Sequence, residues 1–448
     1  MFHLKRVIFC LILFLPANAP LIISSLKLNL FLTILLYFSL YNLYILSNVF
    51  PINKKSPNNR HHYRLSALSK GFELILAGFV CFTAEMLAYA LFFINYGVGW
   101  FWLLFLNALH CALLLFITTV NGSARVIFSS KQVGLALKIL LIAFWWFPVL
   151  NLILLFKISE KASKEFEFSV YRYNLNQNRK ERNLCSTRYP LLLVHGVFFR
   201  DWENFNYWGR IPEELVGNGA VVYYGNHQSA AAVEQSAEEL KQSILKIIEE
   251  TNCEKVNIIA HSKGGIDSRY AISLLGMGRY VASLTTINTP HRGCNFVRRI
   301  LDMTPEKAIS AIGDKYEKLF LKLGDENPGF YDSLALLTDE NCANLNHIMT
   351  NDPNVLYQSA GSMMATPLSA IFPLSVGHVI IKKCEGDNDG LVAVSSMKWG
   401  EFLGLVTPKG KKGISHGDMI DLTRKNIDGF DVCEFYVDLV NGLKLRGL

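Results

Sequence analysis

Hydrophobic and polar positions are arranged in two different ways along this chain. Up to about residue 157 the apolar residues come in long unbroken stretches; beyond it, short apolar runs alternate with amphipathic ones. A helix that spans a bilayer needs roughly 20 mostly apolar residues. Five stretches meet that length, at about 7–26, 29–50, 72–96, 100–120 and 135–156. The first is interrupted by Pro16, Asn18 and Pro20. It also has the layout of a signal peptide, with Lys5 and Arg6, an apolar core and then Ala17-Asn18-Ala19; Pro20 directly behind that site hinders cleavage, so the segment is read as a retained helix. From Tyr189 onward, the runs 191–194, 221–224, 256–259, 284–287 and 355–358 predict buried parallel strands. Between the second and third, Val233, Ala237, Leu240, Ile244 and Ile247 recur at steps of three and four, which gives one apolar helix face. Strands alternating with helices predict an α/β architecture, a mostly parallel sheet covered on both sides. The expected organisation is a transmembrane region of about five helices over 1–157, a linker over 158–188 and an α/β catalytic domain over 189–448.

Composition sharpens this division. Hydrophobic residues make up 51% of the chain and charged residues 18%, with the apolar excess concentrated before residue 157. The net charge of +7 comes from basic residues that border the apolar stretches, where they face anionic lipid or set topology. No basic stripe interleaved with aromatics follows in the second half, which excludes nucleic acid as a partner. Lys5 and Arg6, then Lys54, Lys55, Arg60, Arg64 and Lys70, then Arg125 and Lys131 mark three cytoplasmic regions. The link around 97–99 carries no charge and the first link only Lys27, so both are expected outside. Five crossings that start inside then put everything after Phe156 on the extracytoplasmic side. His61-His62 are read as part of a solvated basic loop, with no further ligand at metal-binding spacing. Glu85 is a single acid deep in an apolar stretch, and a packed or interfacial position accounts for it. The nine cysteines include no Cys-x-x-Cys pair, which argues against zinc and thioredoxin-like chemistry; whether any of them pair is open.

The segment that carries chemistry is Val256-Asn-Ile-Ile-Ala-His-Ser-Lys-Gly-Gly265. A buried strand runs straight into Ser262, followed by two glycines and a helix starting near Lys263. This is the pattern of a nucleophile elbow, with Ala260 where a first glycine usually stands. The turn is so sharp that the residues two before and two after the serine must be small, and Ala260 and Gly264 are. A serine nucleophile needs a base, and the base an orienting carboxylate. Behind such an elbow the acid and then the histidine follow in chain order. His416, in Ile414-Ser-His-Gly-Asp418, is the last histidine of the chain. Gly386-Asp-Asn-Asp-Gly-Leu-Val392 supplies the acid, Asp389 first and Asp387 second. His378 precedes both acids, and the ring of His261 cannot easily turn back onto the neighbouring hydroxyl. The oxyanion of a tetrahedral intermediate needs backbone N–H donors. Lys263, directly after the nucleophile, supplies one, and Val197 in Leu193-Val-His-Gly-Val197 the other. His195 is read as a structural residue of that loop.

Together, Tyr189–Val197, Tyr207-Trp-Gly-Arg-Ile-Pro212, Val256–Tyr270, Leu284-Thr-Thr-Ile-Asn-Thr-Pro-His-Arg-Gly293 and Gly386–Val392 resemble the secreted bacterial triacylglycerol lipases of the Pseudomonas and Burkholderia type. The resemblance runs from about Tyr189 to the C-terminus. It implies an α/β-hydrolase fold with a helical lid, a lipid-facing site, a triad on Ser262, Asp389 and His416, and oxyanion donors on Val197 and Lys263. It also implies a structural calcium near the catalytic histidine. Asp418 matches one ligand position, but Leu422 stands where a side-chain oxygen is expected, which leaves that ligand set incomplete; ester hydrolysis itself requires no cofactor. No cysteine near Ser395 matches the family's disulfide partner, and Val197-Phe-Phe-Arg200 replaces a more glycine-rich loop. After Pro305 an apolar stripe of Ile309, Ile312, Tyr316, Leu319, Phe320 and Leu323 is the lid candidate. The expected activity is hydrolysis of lipid carboxylic esters through an acyl-enzyme on Ser262, with lipid substrate and membrane as partners. The rival readings are a phospholipase or acyltransferase with the same triad, and a membrane scaffold with a hydrolase-like domain. The lipid, the acyl acceptor and the oligomeric state are not encoded in any motif.

Overall fold

The computed structural model describes all residues except Met1, 51–59, 97–100, 198–205, 229–230, 304–312, several positions between 316 and 334, and 408–411. The lid candidate named from the sequence lies outside the described residues. The chain divides into two compact units, Met1–Gln177 and Asn178–Leu448.

The first unit is all helical, with α1 (Phe2–Ala17), α2 (Ala19–Leu26), α3 (Leu30–Val49), α4 (Arg60–Tyr96), α5 (Phe101–Ser129), α6 (Leu135–Ala143) and α7 (Pro148–Arg179). Among the described residues, Leu30–Val49, Tyr63–Phe92 and Phe101–Ser129 are long and apolar enough to cross a membrane; α1 and α2, bent by 68°, make a fourth if they act as one span. The bend falls at Asn18, where Pro20 opens α2 without an N–H to offer. Its freed polar groups are met from within the bundle. Asn18 Nδ2 donates to Phe14 O at 3.1 Å and to Glu85 Oε1 at 2.5 Å. Asn107 Nδ2 donates to Asn18 Oδ1 at 2.9 Å and to Tyr89 Oη at 2.7 Å, while Asn107 Oδ1 accepts from Leu21 N at 3.3 Å. Buried among apolar side chains, such groups must find one another. Glu85, solitary in the sequence, is one corner of this knot. Beside it α4 and α5 pack closely enough that a methyl on Gly71 would stand 2.9 Å from Gly122 O, and one on Gly78 2.9 Å from Thr119 Oγ1.

Two sequence expectations change here. His61 and His62 lie in the first turn of α4 rather than in a loop. The stretch 135–156 is not one span: it breaks at 144–147 into the nine-residue α6 and the start of α7. Pro148 is the cause, since it cannot donate to the preceding turn and is tolerated only in a helix's first turn.

In the second unit, six strands among the described residues form one all-parallel sheet in the order β2-β1-β3-β4-β5-β6. They are β1 (Leu191–Val194), β2 (Val222–Tyr224), β3 (Val256–His261), β4 (Val281–Ile287), β5 (Leu356–Ser362) and β6 (Glu401–Val406). Alternate side chains of a strand point to opposite faces. Leu191 and Leu193 accordingly join a core with Trp208, with Ile211 and Leu215 of α8 (Ile211–Gly217), and with Val432, Tyr436 and Val440 of the C-terminal helix. Leu192 and Val194 join the opposite core, with Leu240 and Ile244 of α9 (Val233–Thr251) and Ala271 and Ile272 of α10 (Lys263–Leu274). Both faces are covered, so every residue of β1 and β3 is buried. Each such leucine or isoleucine contributes about 1.5–3 kcal/mol. The chain leaves β1 towards β2 and returns on β1's other side as β3. A crevice opens at such a switch point, outside the strands' C-terminal ends.

Candidate active site

Ser262 stands at that switch point, between the last residue of β3 and the first turn of α10. Its backbone has φ 54° and ψ −131°, a conformation non-glycine residues rarely adopt. The turn is held by Ser262 N–H donating to Ile287 O at 3.0 Å and Gly265 N–H donating to Ser262 O at 3.1 Å. The need for small neighbours is explicit. A methyl on Gly264 would lie 2.3 Å from His195 O at the end of β1, and one on Gly265 2.2 Å from Thr289 Oγ1. Gly196 is equally confined, since its methyl would meet Ser262 Cβ at 2.8 Å.

Asp389 and His416 meet as expected from chain order. His416 Nδ1 lies 2.6 Å from Asp389 Oδ2, and His416 N–H donates to Asp389 O at 2.9 Å. The other carboxylate oxygen accepts from Leu391 N at 2.9 Å and Val392 N at 2.8 Å. Asp389 is fully buried, and these donors satisfy its oxygens. Asp387, the alternative acid, is exposed and paired with Lys382. The His416 ring lies 4.5 Å, centroid to centroid, from that of His261, the residue just before Ser262. Among the described residues no hydrogen bond within 3.5 Å joins the Ser262 hydroxyl to a side chain; such contacts are commonly long until substrate is bound.

The other histidines are structural. His195 Nδ1 and Nε2 lie 2.9 Å from Gly196 O and 3.0 Å from His227 O, with its ring stacked on His227 at 4.0 Å. His378 bonds Asn388. Burial, reinforced by His416, holds the proton affinity of His261 far below that of a free imidazole.

Several residues escaped sequence reasoning. Tyr207 Oη accepts from Gly196 N at 3.1 Å and bonds His261 Nδ1 at 2.7 Å, which ties the loop after β1 to the elbow. Gly196 N–H being thus engaged, Val197 N–H is the next donor along the loop, and among the described residues it has no acceptor. Lys263 N–H, at the first position of α10, has no intrahelical acceptor either. The Lys263 side chain turns inward to Asp267, with Nζ 2.7 and 2.9 Å from its oxygens and 3.2 Å from Ser236 Oγ. Burial raises the Asp267 carboxyl despite this cation.

A calcium site does not fit the residues present. Asp418 Oδ2 accepts from Ser415 N at 2.9 Å and Ser415 Oγ at 2.6 Å. Arg210 occupies Asp421 through Nε at 2.7 Å and Nη2 at 2.8 Å. Among the described residues no three histidine, cysteine or acidic side chains converge in a metal-binding group. The nine cysteines are all free thiols.

The parallel sheet, its switch point and the strained serine turn define an α/β-hydrolase fold. Residues 203–340 match the family described as "Putative serine esterase (DUF676)", a span that contains Ser262 and ends before Asp389. The chain is 28% identical over 275 residues to a triacylglycerol lipase of Pseudarthrobacter phenanthrenivorans, which covers 49% of this chain and 86% of that protein. It is also 28% identical over 275 residues to a triacylglycerol lipase of Burkholderia plantarii, covering 49% and 76%. Among solved structures, the mature Bacillus licheniformis lipase BlEst2 aligns with a TM-score of 0.43 and 19% identity, over 57% of this chain and 92% of that one. The chain is a carboxylic ester hydrolase, a serine hydrolase of the lipase and esterase kind.

Proposed function

We propose that the second unit hydrolyses carboxylic esters of lipids at a membrane to which the apolar helices of the first unit tether it. In this reading Ser262 Oγ attacks the ester carbonyl carbon while His416 Nε2 takes its proton. Asp389 holds the opposite ring nitrogen, Nδ1–H, and stabilises the imidazolium that forms. The carbonyl oxygen becomes an oxyanion and accepts from Val197 N–H and Lys263 N–H. When the carbon–oxygen bond to the alcohol breaks, His416 returns the proton to the leaving oxygen, leaving an acyl-Ser262 ester. Water then repeats the sequence, with His416 as base, and releases the acid. No metal or cofactor enters any step.

The observation that carries this reading is the buried Asp389–His416 pair, 2.6 Å apart, whose imidazole lies against the residue that precedes the strained serine. The lipid character of the substrate is supported by the relatives named above and by the apolar first unit. A fluorophosphonate probe, followed by peptide mapping, tests the nucleophile, with the label expected on Ser262 alone. A panel of lipid and short soluble esters, with and without an added alcohol, then tests substrate and acceptor. Faster turnover on the lipid esters and free acid as product are expected. Acyl transfer to the alcohol at the expense of free acid overturns the assignment of water as acceptor.

A further inference from the structure

The broken stretch 135–156 is more than an interruption. Its two apolar arms, α6 and residues 148–156, are nine residues each, about 13 Å of helix against a hydrocarbon core of about 30 Å. Leu141 of one arm and Leu154 and Leu155 of the other belong to a single buried cluster with Phe72 and Ile75 of α4. The tip carries Trp145, Trp146 and Phe147, all exposed, and the Trp145 ring lies 6.3 Å from that of Phe116. Phe116 is at the middle of α5, thirteen positions or about 20 Å before its end at Ser129. The hairpin therefore enters the apolar bundle to about half of α5's length and turns back.

Both arms return to one level. In the first turn of the first arm, Lys138 Nζ donates to Ile127 O at 2.5 Å and Ser130 O at 3.2 Å, capping the carbonyl end of α5. After the second, Glu165 of α7 is buried and accepts from Ser130 Oγ at 2.5 Å, from Lys131 N and Gln132 N at 3.1 Å each, and from Arg64 Nη1 at 2.5 Å. One carboxylate thus joins the entry of the hairpin, its exit and the start of α4. Arg125 and Asn48 meet at the same end, through Arg125 Nη2 and Asn48 O at 3.1 Å. Arg64, Arg125, Lys131 and Lys138 belong to this face, and in the sequence Lys54 and Lys55 stand between α3 and α4. The opposite face has Lys27 alone and an uncharged link at 97–100. Such an asymmetry marks the basic face as cytoplasmic.

We infer that residues 135–156 form a half-depth membrane hairpin, and that the chain therefore enters its second unit from the cytoplasmic face. This reverses the extracytoplasmic side drawn from five crossings, because the fifth stretch adds no crossing. The ester bonds within reach are then those of lipids in the cytoplasmic leaflet; only this last point rests on the proposed function.

The test uses the full chain with a C-terminal epitope, expressed in a bacterial host. Protease added to inverted vesicles is expected to remove the epitope, and protease added to intact spheroplasts to spare it. A membrane-impermeant maleimide should add no label above the parent protein to Trp146→Cys from either face, and label it fully in detergent. Loss of the epitope in spheroplasts, or labelling of Trp146→Cys from outside, overturns the hairpin. An impermeant fluorophosphonate should label inverted vesicles only. If it labels neither preparation nor the detergent extract while the epitope behaves as stated, the ester-hydrolase reading fails and the topology stands.

Discussion

The two units place their apolar side chains in opposite ways. In the second, the large apolar side chains are inside: Leu191, Leu192, Leu193 and Val194 are all fully buried. In the first, Leu30, Phe31, Trp102 and Leu135 are more than 70% exposed, while Asn107, Thr118 and Glu165 are buried. Apolar surface goes to the medium that accepts it, water excluding it and hydrocarbon welcoming it. The difference teaches what holds each unit. The second is built around an apolar sheet, with its polar groups gathered at the strand ends where chemistry is needed. The first is clamped by polar contacts such as Glu85–Asn18–Asn107 and Glu165–Arg64, as the proposed membrane setting requires, because packing apolar helices in lipid removes little surface from water.

If chemistry belongs to the second unit alone, Ser262→Ala should lower esterase turnover by about 10⁴–10⁶-fold while melting behaviour and membrane association stay unchanged. Retained activity at wild-type membrane levels sinks the mechanism. Asp389→Asn should cost about 10⁴-fold, and Asp387→Asn, which loses only an exposed pair with Lys382, should change turnover less than about twofold. Equal losses in the two would remove the distinction between the acids. Glycine at the sheet ends should matter where backbone is close and not elsewhere. Gly264→Ala forces a carbon to within 2.3 Å of His195 O, and a loss above about 4 kcal/mol is expected in denaturant titration. Gly134→Ala, with open space around it, should lie within about 0.5 kcal/mol of the parent.

Acid should weaken the second unit through its buried histidines. Burial depresses His195, His261 and His291, with His227, His416 and Arg269 respectively as the next cause. The unfolded chain binds these protons near pH 6.5 and the folded chain only well below it. Their contribution is therefore complete above about pH 6.5 and is lost as pH falls towards the folded values, by about 1.4 kcal/mol per histidine per pH unit. Thermal midpoints of the detergent-solubilised protein between pH 7.5 and 5.5 should fall accordingly; a flat profile would mean that these rings take up protons in the folded state. A further effect is expected at the lid stretch of the sequence. Activity on a long-chain ester should rise about tenfold once droplets form, since lipid relieves roughly 1.5–3 kcal/mol per apolar side chain otherwise exposed. Leu319, Phe320 and Leu323 changed together to serine should flatten that rise and spare a short soluble ester. Equal loss on both esters would make the stripe ordinary core.

Most of the second unit was legible because local pattern and tertiary role coincide there. Five strands announce themselves as apolar runs, and the α9 face as steps of three and four. The sixth, Glu401–Val406, was missed because an edge strand is only half covered: Glu401 and Leu403 are exposed, and Gly404 interrupts the run. Asp389 and His416, 27 positions apart, were found by chain order, which a shared fold fixes even when spacing does not. Tyr207 and the Lys263–Asp267 pair were not found as parts of the site, since a tyrosine before a tryptophan, or a lysine four positions before an aspartate, is common on any surface. In the first unit, windows of hydropathy count apolar residues without asking whether one helix holds them. Pro148 was a visible signal against a single span.

The sequence by itself determined the division into two units, the strained serine turn and the order of its partners, because each depends on residue size, hydropathy or chain order over short distances. The tertiary structure alone decided which acid faces the histidine, which N–H groups remain open beside the serine, and that the last apolar stretch turns back at half depth. Those depend on contacts such as Glu165 with Ser130 and Arg64, or Tyr207 with Gly196 and His261, between residues that the chain brings together only on folding.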